Sequence, residues 1–300
     1  MSDQDSLAQT VHVGHTTDRE SAQILMGLET VVHGLNTYVF NSSPIYTIVI
    51  IPDVFGWQFI NTRLIADEIG DKTGATVYVP DFMNGDSFPL KYNNFVPSQG
   101  STQQPLRLRL RTAVALKLWL YRHRDSECGA TINEFFKNLC LENPNRRVFA
   151  AGYSWGARQA ILLAGRSRSI LNSGFRYVDA VYAASPLKLT FPEELHPVGK
   201  PICLALGSDD KFLSKNSIEE FKNWIGQKAP PGSEIHVYPG APHGKLAPIP
   251  KQGDYWEANH RPGDNVTDFA VQERPGQNHN KRAAMDQAER FFNKILDDPN

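Results

Sequence analysis

Cysteine is scarce in this chain: Cys128, Cys140 and Cys203 are all that 300 residues contain. An odd number at no metal-like spacing argues against a disulfide framework or a zinc site, and reads as free thiols in a reducing compartment. Charge of one sign is lacking too. Lys and Arg number 31 against 32 Asp and Glu, a formal net charge of −1, so the totals carry no footprint for nucleic acid or an anionic membrane. Long apolar runs are missing: the longest, Ile45 to Pro52, is far too short to span a bilayer. The start, Met1-Ser2-Asp3-Gln4-Asp5-Ser6, is polar and acidic with no apolar stretch behind it, unlike a secretory signal. A cytoplasmic protein is expected, and the sequons at Asn41 and Asn265 read as chance matches. His12 and His15 have no further ligand nearby, so no metal is expected there.

What is present suits a globular enzyme-sized domain: 41% hydrophobic and 21% charged residues in a chain long enough to bury a sizeable core. Asn36 to Phe40 reads as a short strand and Ile45 to Ile51 as a stronger one. A continuous β-branched run of that kind suits a strand covered on both faces. A helix follows from about Asn61 to Thr73, closed by Gly70 and Gly74, then a strand over Thr76 to Val79. Residues 83 to 106 form a long connection. Leu108 to Tyr121 reads as a helix whose Arg107, Arg109 and Arg111 form a solvated face, and Ile132 to Leu141 as another. Strands are expected at Val148 to Ala151, Val178 to Ala183, Ile202 to Leu206 and Glu234 to Tyr238. Helices are expected at Ser217 to Gln227, with Ser217-x-x-Glu220 as a capping box, and at Ala284 to Leu296. Alternating strands and helices predict an α/β fold: a mostly parallel central sheet with helices on both faces. One domain over 1–300 is expected, with an N-terminal arm over 1–30 and an inserted loop over 248–280.

The centre of the chain is Gly152-Tyr153-Ser154-Trp155-Gly156, entered from an apolar run and followed at once by a helix-period segment. That order is what a nucleophile elbow requires, a serine on a strained strand-to-helix turn with glycines either side. Reactive groups in a parallel α/β sheet collect beyond the carboxyl ends of the strands. Those ends carry Asp53-Val54-Phe55-Gly56, then Ser154, then Asp209-Asp210, then Ala241-Pro242-His243-Gly244. Ser, Asp and His in that chain order match an α/β-hydrolase triad. Ser154 needs a base, His243 is the only His just beyond a predicted core strand, and Asp209 or Asp210 would orient it. The backbone N–H groups of Trp155 and Val54 are the expected oxyanion donors. Tyr153, Trp155 and Trp57 are candidate pocket walls.

These loops resemble the dienelactone hydrolase family of α/β-hydrolases. Asp53-Val54-Phe55-Gly56 is similar to its oxyanion loop, Pro80-Asp81-Phe82 to a strand end, and the elbow to its Gly-x-Cys-x-Gly. Asp210-Lys211-Phe212-Leu213 is similar to its acid segment, which favours Asp210 over Asp209, and Ala241-Pro242-His243-Gly244 to its His loop. The resemblance covers about residues 30 to 244 plus the final helix and is closer to the fungal branch. It implies an α/β-hydrolase fold and hydrolysis of an ester or lactone without metal or organic cofactor. It also implies that Asp53, beside Phe55, contacts the resting nucleophile. Three departures stand out. The usual nucleophile is Cys, so Ser154 is either a natural serine nucleophile or a replaced cysteine. The family's carboxylate-recognising arginines are absent, with Asn84 and Gly85 in one region and Lys245 and Ala247 in the other, leaving Lys245 as a point-charge substitute. Residues 248 to 280 replace a short connection.

The expectation is a hydrolase acting on a small-molecule ester, lactone or thioester through Ser154, His243 and Asp210. Nucleic acid and membrane partners are not expected, and a homodimer stays open. A lactone-forming, acyl-transfer or C–C-cleaving enzyme of secondary metabolism would need the same residues. A non-catalytic ligand-binding protein on this scaffold is the rival from another class.

Overall fold

The computed structural model describes residues 25–42, 45–90, 92, 105–169, 177–244, 246 and 277–297. One eight-stranded sheet runs through them in the order β1-β2-β4-β3-β5-β6-β7-β8. Its strands are β1 (Leu28–Val32), β2 (Leu35–Phe40), β3 (Tyr46–Ile51), β4 (Thr76–Pro80), β5 (Arg147–Tyr153), β6 (Ala180–Ala184), β7 (Ile202–Gly207) and β8 (Glu234–Tyr238). The β1–β2 and β2–β4 pairs are antiparallel and every other pair is parallel. The helices are α1 (Ile60–Thr73), α2 (Leu106–Arg122), α3 (Asp125–Glu142), α4 (Trp155–Ser169), α5 (Lys215–Gln227) and α6 (Gln277–Asp297). This is the mostly parallel sheet between helices that the alternation predicts, and the α/β-hydrolase-like arrangement that the resemblance implies.

β3 explains why the sheet sits in the middle. It pairs with β4 through Ile48 and Val77 and with β5 through Val49 and Ala150, so its β-branched side chains leave on two covered faces. Val49 and Ile51 join Val181, Leu204 and the buried sides of α2, α3, α4 and α5 in one cluster. Ile48 and Ile50 join Val77, Phe149, Tyr182 and the buried sides of α1 and α6 in the other. Each fully buried aliphatic side chain contributes roughly 1.5–3 kcal/mol, and all strands from β3 to β7 draw on both faces. The two layers fix the sheet, and the sheet fixes which loops share its carboxyl edge.

Several boundaries differ from the sequence expectation for physical reasons. β1 begins inside the expected arm and runs two residues past it. Its residues are mostly exposed, which blurs the alternating pattern, and it turns into β2 at His33 and Gly34, both at positive φ (47° and 84°), a two-residue hairpin. Gly70 does not close α1. It sits within the helix, where an added Cβ would fall 2.2 Å from the Phe40 ring; the stop is Gly74, left-handed at φ 67° and bonded back to Gly70. The cap of α5 is Ser214 rather than Ser217: its extended backbone lets the hydroxyl accept from the Ser217 N–H at 3.0 Å. α3 starts at Asp125, where Asp125 and Glu127 face the positive end of the helix. α6 begins at Gln277, within the expected inserted loop. The rest of that loop up to residue 276, His12, His15 and Lys245 lie outside the described residues. No helix among the described residues is long and apolar enough to cross a membrane.

Candidate active site

β5 delivers Ser154 to the carboxyl edge of the sheet, and α4 begins at the next residue. Ser154 adopts φ 54°, the left-handed region that a residue with a Cβ enters at a cost. Its neighbours make the turn sterically feasible. A Cβ on Gly152 would fall 2.3 Å from the Gly156 carbonyl oxygen, and one on Gly156 would fall 2.0 Å from that of Ile51. The Ser154 N–H donates to the Ala184 carbonyl (2.9 Å), and its own carbonyl accepts from the Leu187 N–H (3.1 Å). The end of β6 thereby holds the turn.

Two loops further along the same edge bring in the other groups. Ser154 Oγ lies 2.8 Å from His243 Nε2, and His243 Nδ1 lies 2.8 Å from Asp210 Oδ2. All three are buried, with relative exposures of 8% for Ser154 and 4% for each of His243 and Asp210. The second carboxylate oxygen of Asp210 accepts the Phe212 N–H at 2.9 Å, and the Phe212 ring stands edge-on to the imidazole, 4.7 Å between centroids. The carboxylate and the ring are thus each held from a second side. Asp209 is exposed and its carboxylate accepts from the Ser208 hydroxyl instead. A carboxylate at Nδ1 keeps the imidazole proton there, which leaves Nε2 free to accept from a hydroxyl.

A profile of the dienelactone hydrolase family matches residues 35–293, which takes in all three side chains. The chain belongs to the dienelactone hydrolase family. It is 24% identical over 222 residues to the human carboxymethylenebutenolidase homolog, covering 73% of this chain and 79% of that one. It is 21% identical over 197 residues to hydrolase pyvD of Aspergillus violaceofuscus, covering 66% and 68%. Among solved structures, one described as m3DLH superposes with a TM-score of 0.53 at 14% identity, over 90% of this chain and 97% of that one, a likeness of fold. The family is one of hydrolases.

In this family member the two expected oxyanion donors are the N–H groups of Trp155 and Val54. Trp155 is the first residue of α4, and Val54 follows β3. Neither N–H donates to another described residue, and both residues are buried. Asp53 precedes Val54 with one carboxylate oxygen accepting the Phe55 N–H at 2.9 Å. Burial pushes its carboxyl up to about 6, while that N–H and the nearby His243 ring pull it down. Two of the three thiols are poorly placed to ionise: burial pushes Cys128 up to about 11 and raises Cys203 as well.

Sequence reading did not single out the group that links Val54 to Trp155. Phe88 N–H donates to the Val54 carbonyl at 2.7 Å, and the Phe88 ring meets Trp119 of α2 edge-on. Trp119 donates to the Asp86 carbonyl (2.6 Å), stacks on His123 (4.1 Å) and meets Trp155 edge-on (5.8 Å). Trp155 closes the loop by donating its indole N–H to the His123 carbonyl at 2.9 Å. Trp119 showed in the sequence only as a helix residue; its role needs the third dimension.

Other expected residues are placed differently. Trp57 packs in the layer under α1 and α6, with the Arg63 guanidinium 5.0 Å above its ring. Tyr153 joins the same layer against Tyr182, where burial raises its pKa. Phe55 lies in the opposite layer against Phe59 and Phe88. Around Asn84 and Gly85, the Asp81 carboxylate accepts the N–H groups of Met83 (3.2 Å) and Gly85 (2.8 Å), a tight turn without a cationic side chain. Among the described residues no group of three or more His, Cys, Asp or Glu is arranged to hold a metal ion.

Proposed function

We propose that this chain hydrolyses a carboxylic ester, lactone or thioester, with Ser154 as nucleophile, His243 as base then acid, and Asp210 as the group that orients the ring. The observation that carries the reading is the buried 2.8 Å and 2.8 Å relay from hydroxyl to imidazole to carboxylate. His243 Nε2 takes the hydroxyl proton as Ser154 Oγ bonds to the acyl carbon. The carbonyl oxygen becomes an oxyanion held by the N–H groups of Val54 and Trp155, at the positive end of α4. The C–O or C–S bond then breaks, and His243 returns the proton to the leaving group. Water repeats the sequence to release the acid and free the serine. Asp210 stabilises the transient imidazolium without taking its proton. Asn84 and Gly85 stand where the family's carboxylate-binding arginine is expected, so neutral acyl substrates fit better than a dienelactone carboxylate.

The test is a fluorophosphonate probe followed by intact and peptide mass spectrometry. One adduct, on Ser154, is expected, with hydrolysis of small nitrophenyl esters. Absence of both would refute the reading, and His243→Ala must abolish labelling. Ser154→Cys distinguishes a natural serine site, which loses turnover, from a site shaped for cysteine, which gains it.

A further inference from the structure

The neutral overall charge conceals a strongly uneven distribution. Between Pro105 and Arg124 stand Arg107, Arg109, Arg111, Lys117, Arg122 and Arg124, and no acidic residue. Nearly all of this stretch is α2. Arg122 and Arg124 have partners in Asp86 and Glu127. Arg107, Arg109, Arg111 and Lys117 form no ion pair with any described residue.

The same helix is under-buried. Only Thr112, Leu116 and Trp119 are sequestered. Leu106, Leu110, Val114, Leu118 and Tyr121 are exposed at 76, 64, 51, 56 and 66%. Steps of four, four, four and three residues put these five on one outward stripe along the full helix, roughly 22 Å long at 1.5 Å per residue. At 100° per residue Arg109 and Arg111 border the stripe on its two sides, and Arg107 and Lys117 stand within it. Their stems can lie along apolar surface while the charges reach outward.

Charge decides the partner. A second copy docking α2 on α2 would face four unpaired cations with four more and no acid between them. Water alone leaves five large apolar side chains uncovered. An anionic phospholipid surface satisfies both halves: the aliphatic stripe enters the headgroup boundary, Tyr121 lies at its edge, and the cations meet lipid phosphates and carboxylates. A convex single-helix face needs no complementary groove there. We infer that α2 is an interfacial helix that docks this protein on anionic phospholipid membranes. This revises the expectations of a plain solvated face and of no membrane partner, which rested on totals rather than placement, and it does not depend on the catalytic reading.

The test uses the full chain in flotation with vesicles of phosphatidylcholine alone or with about one-third phosphatidylserine, at low and high salt. Flotation with the anionic vesicles only, weakening as salt rises, is expected. Replacing Arg107, Arg109 and Arg111 together by Gln should lower partitioning on the order of 100-fold, at roughly fivefold per cation. Leu110→Asp with Leu118→Asp should abolish it while melting stays near wild type, both sites being exposed. Failure to float on anionic vesicles overturns the inference, as does flotation indifferent to either variant. Wild-type dimerisation that the Leu110→Asp/Leu118→Asp variant dissolves would make the stripe a homotypic interface. Retention on polyglutamate without flotation would assign it to an acidic protein.

Discussion

Asp53→Asn is the perturbation whose outcome follows most directly from the site. The carboxyl is raised from 3.8 to about 6, chiefly by burial. Below both values it is protonated in the folded and unfolded chain, and the fold bears no cost. As pH rises through 3.8 the unfolded chain ionises first, so stability falls, and the loss is complete above about 6. A shift of that size corresponds to about 3 kcal/mol, a ceiling because Asp53 keeps some contact with solvent. Asparagine retains the acceptor for the Phe55 N–H, 2.9 Å away, and removes only the charge. The variant should therefore melt on the order of 5 °C above wild type at about pH 8 and gain almost nothing at about pH 4. Thermal unfolding of both proteins across this pH range measures it. A difference independent of pH, or a variant less stable at pH 8, would refute the placement of a poorly solvated carboxylate beside the imidazole.

Asp210→Asn should lower kcat by roughly two to four orders of magnitude with little change in KM, while Asp209→Ala keeps most activity; the reverse ranking in ester-hydrolysis assays would reassign the acid. Trp155→Phe keeps the ring but strands the His123 carbonyl, so about 1–3 kcal/mol of stability should go, together with about tenfold in kcat; unchanged kcat would show that the brace does not reach the oxyanion donors. Gly156→Ala would place a Cβ 2.0 Å from the Ile51 carbonyl oxygen and should cost several kcal/mol, read as loss of soluble protein and of probe labelling.

The parts most legible in sequence were those with a local cause. β3 announced itself through an uninterrupted β-branched run because both of its faces are covered. The elbow was readable because close backbone approach at Gly152 and Gly156 tolerates only glycine. The meeting of Ser154, Asp210 and His243 followed from strand ends sharing one edge. Residues answering to distant partners were not readable. β1 is an edge strand with an exposed surface, so no period marks it. Trp57 and Tyr153 look like pocket walls by position, yet their side chains join the layer under α1 and α6, a matter of which face of the turn each occupies. The Phe88–Trp119–Trp155 brace joins residues 67 positions apart. A helix carrying five cations was visible, but the alignment of its leucines on the outward side required knowing which three residues point in.

The backbone at Ser154 carries one more consequence. A left-handed residue bearing a Cβ costs about 1–2 kcal/mol relative to glycine, so this chain would fold more comfortably with no side chain at position 154. Heat-challenge selection blind to turnover would thus reward a glycine there, and any effort to toughen this protein must score product formation alongside survival.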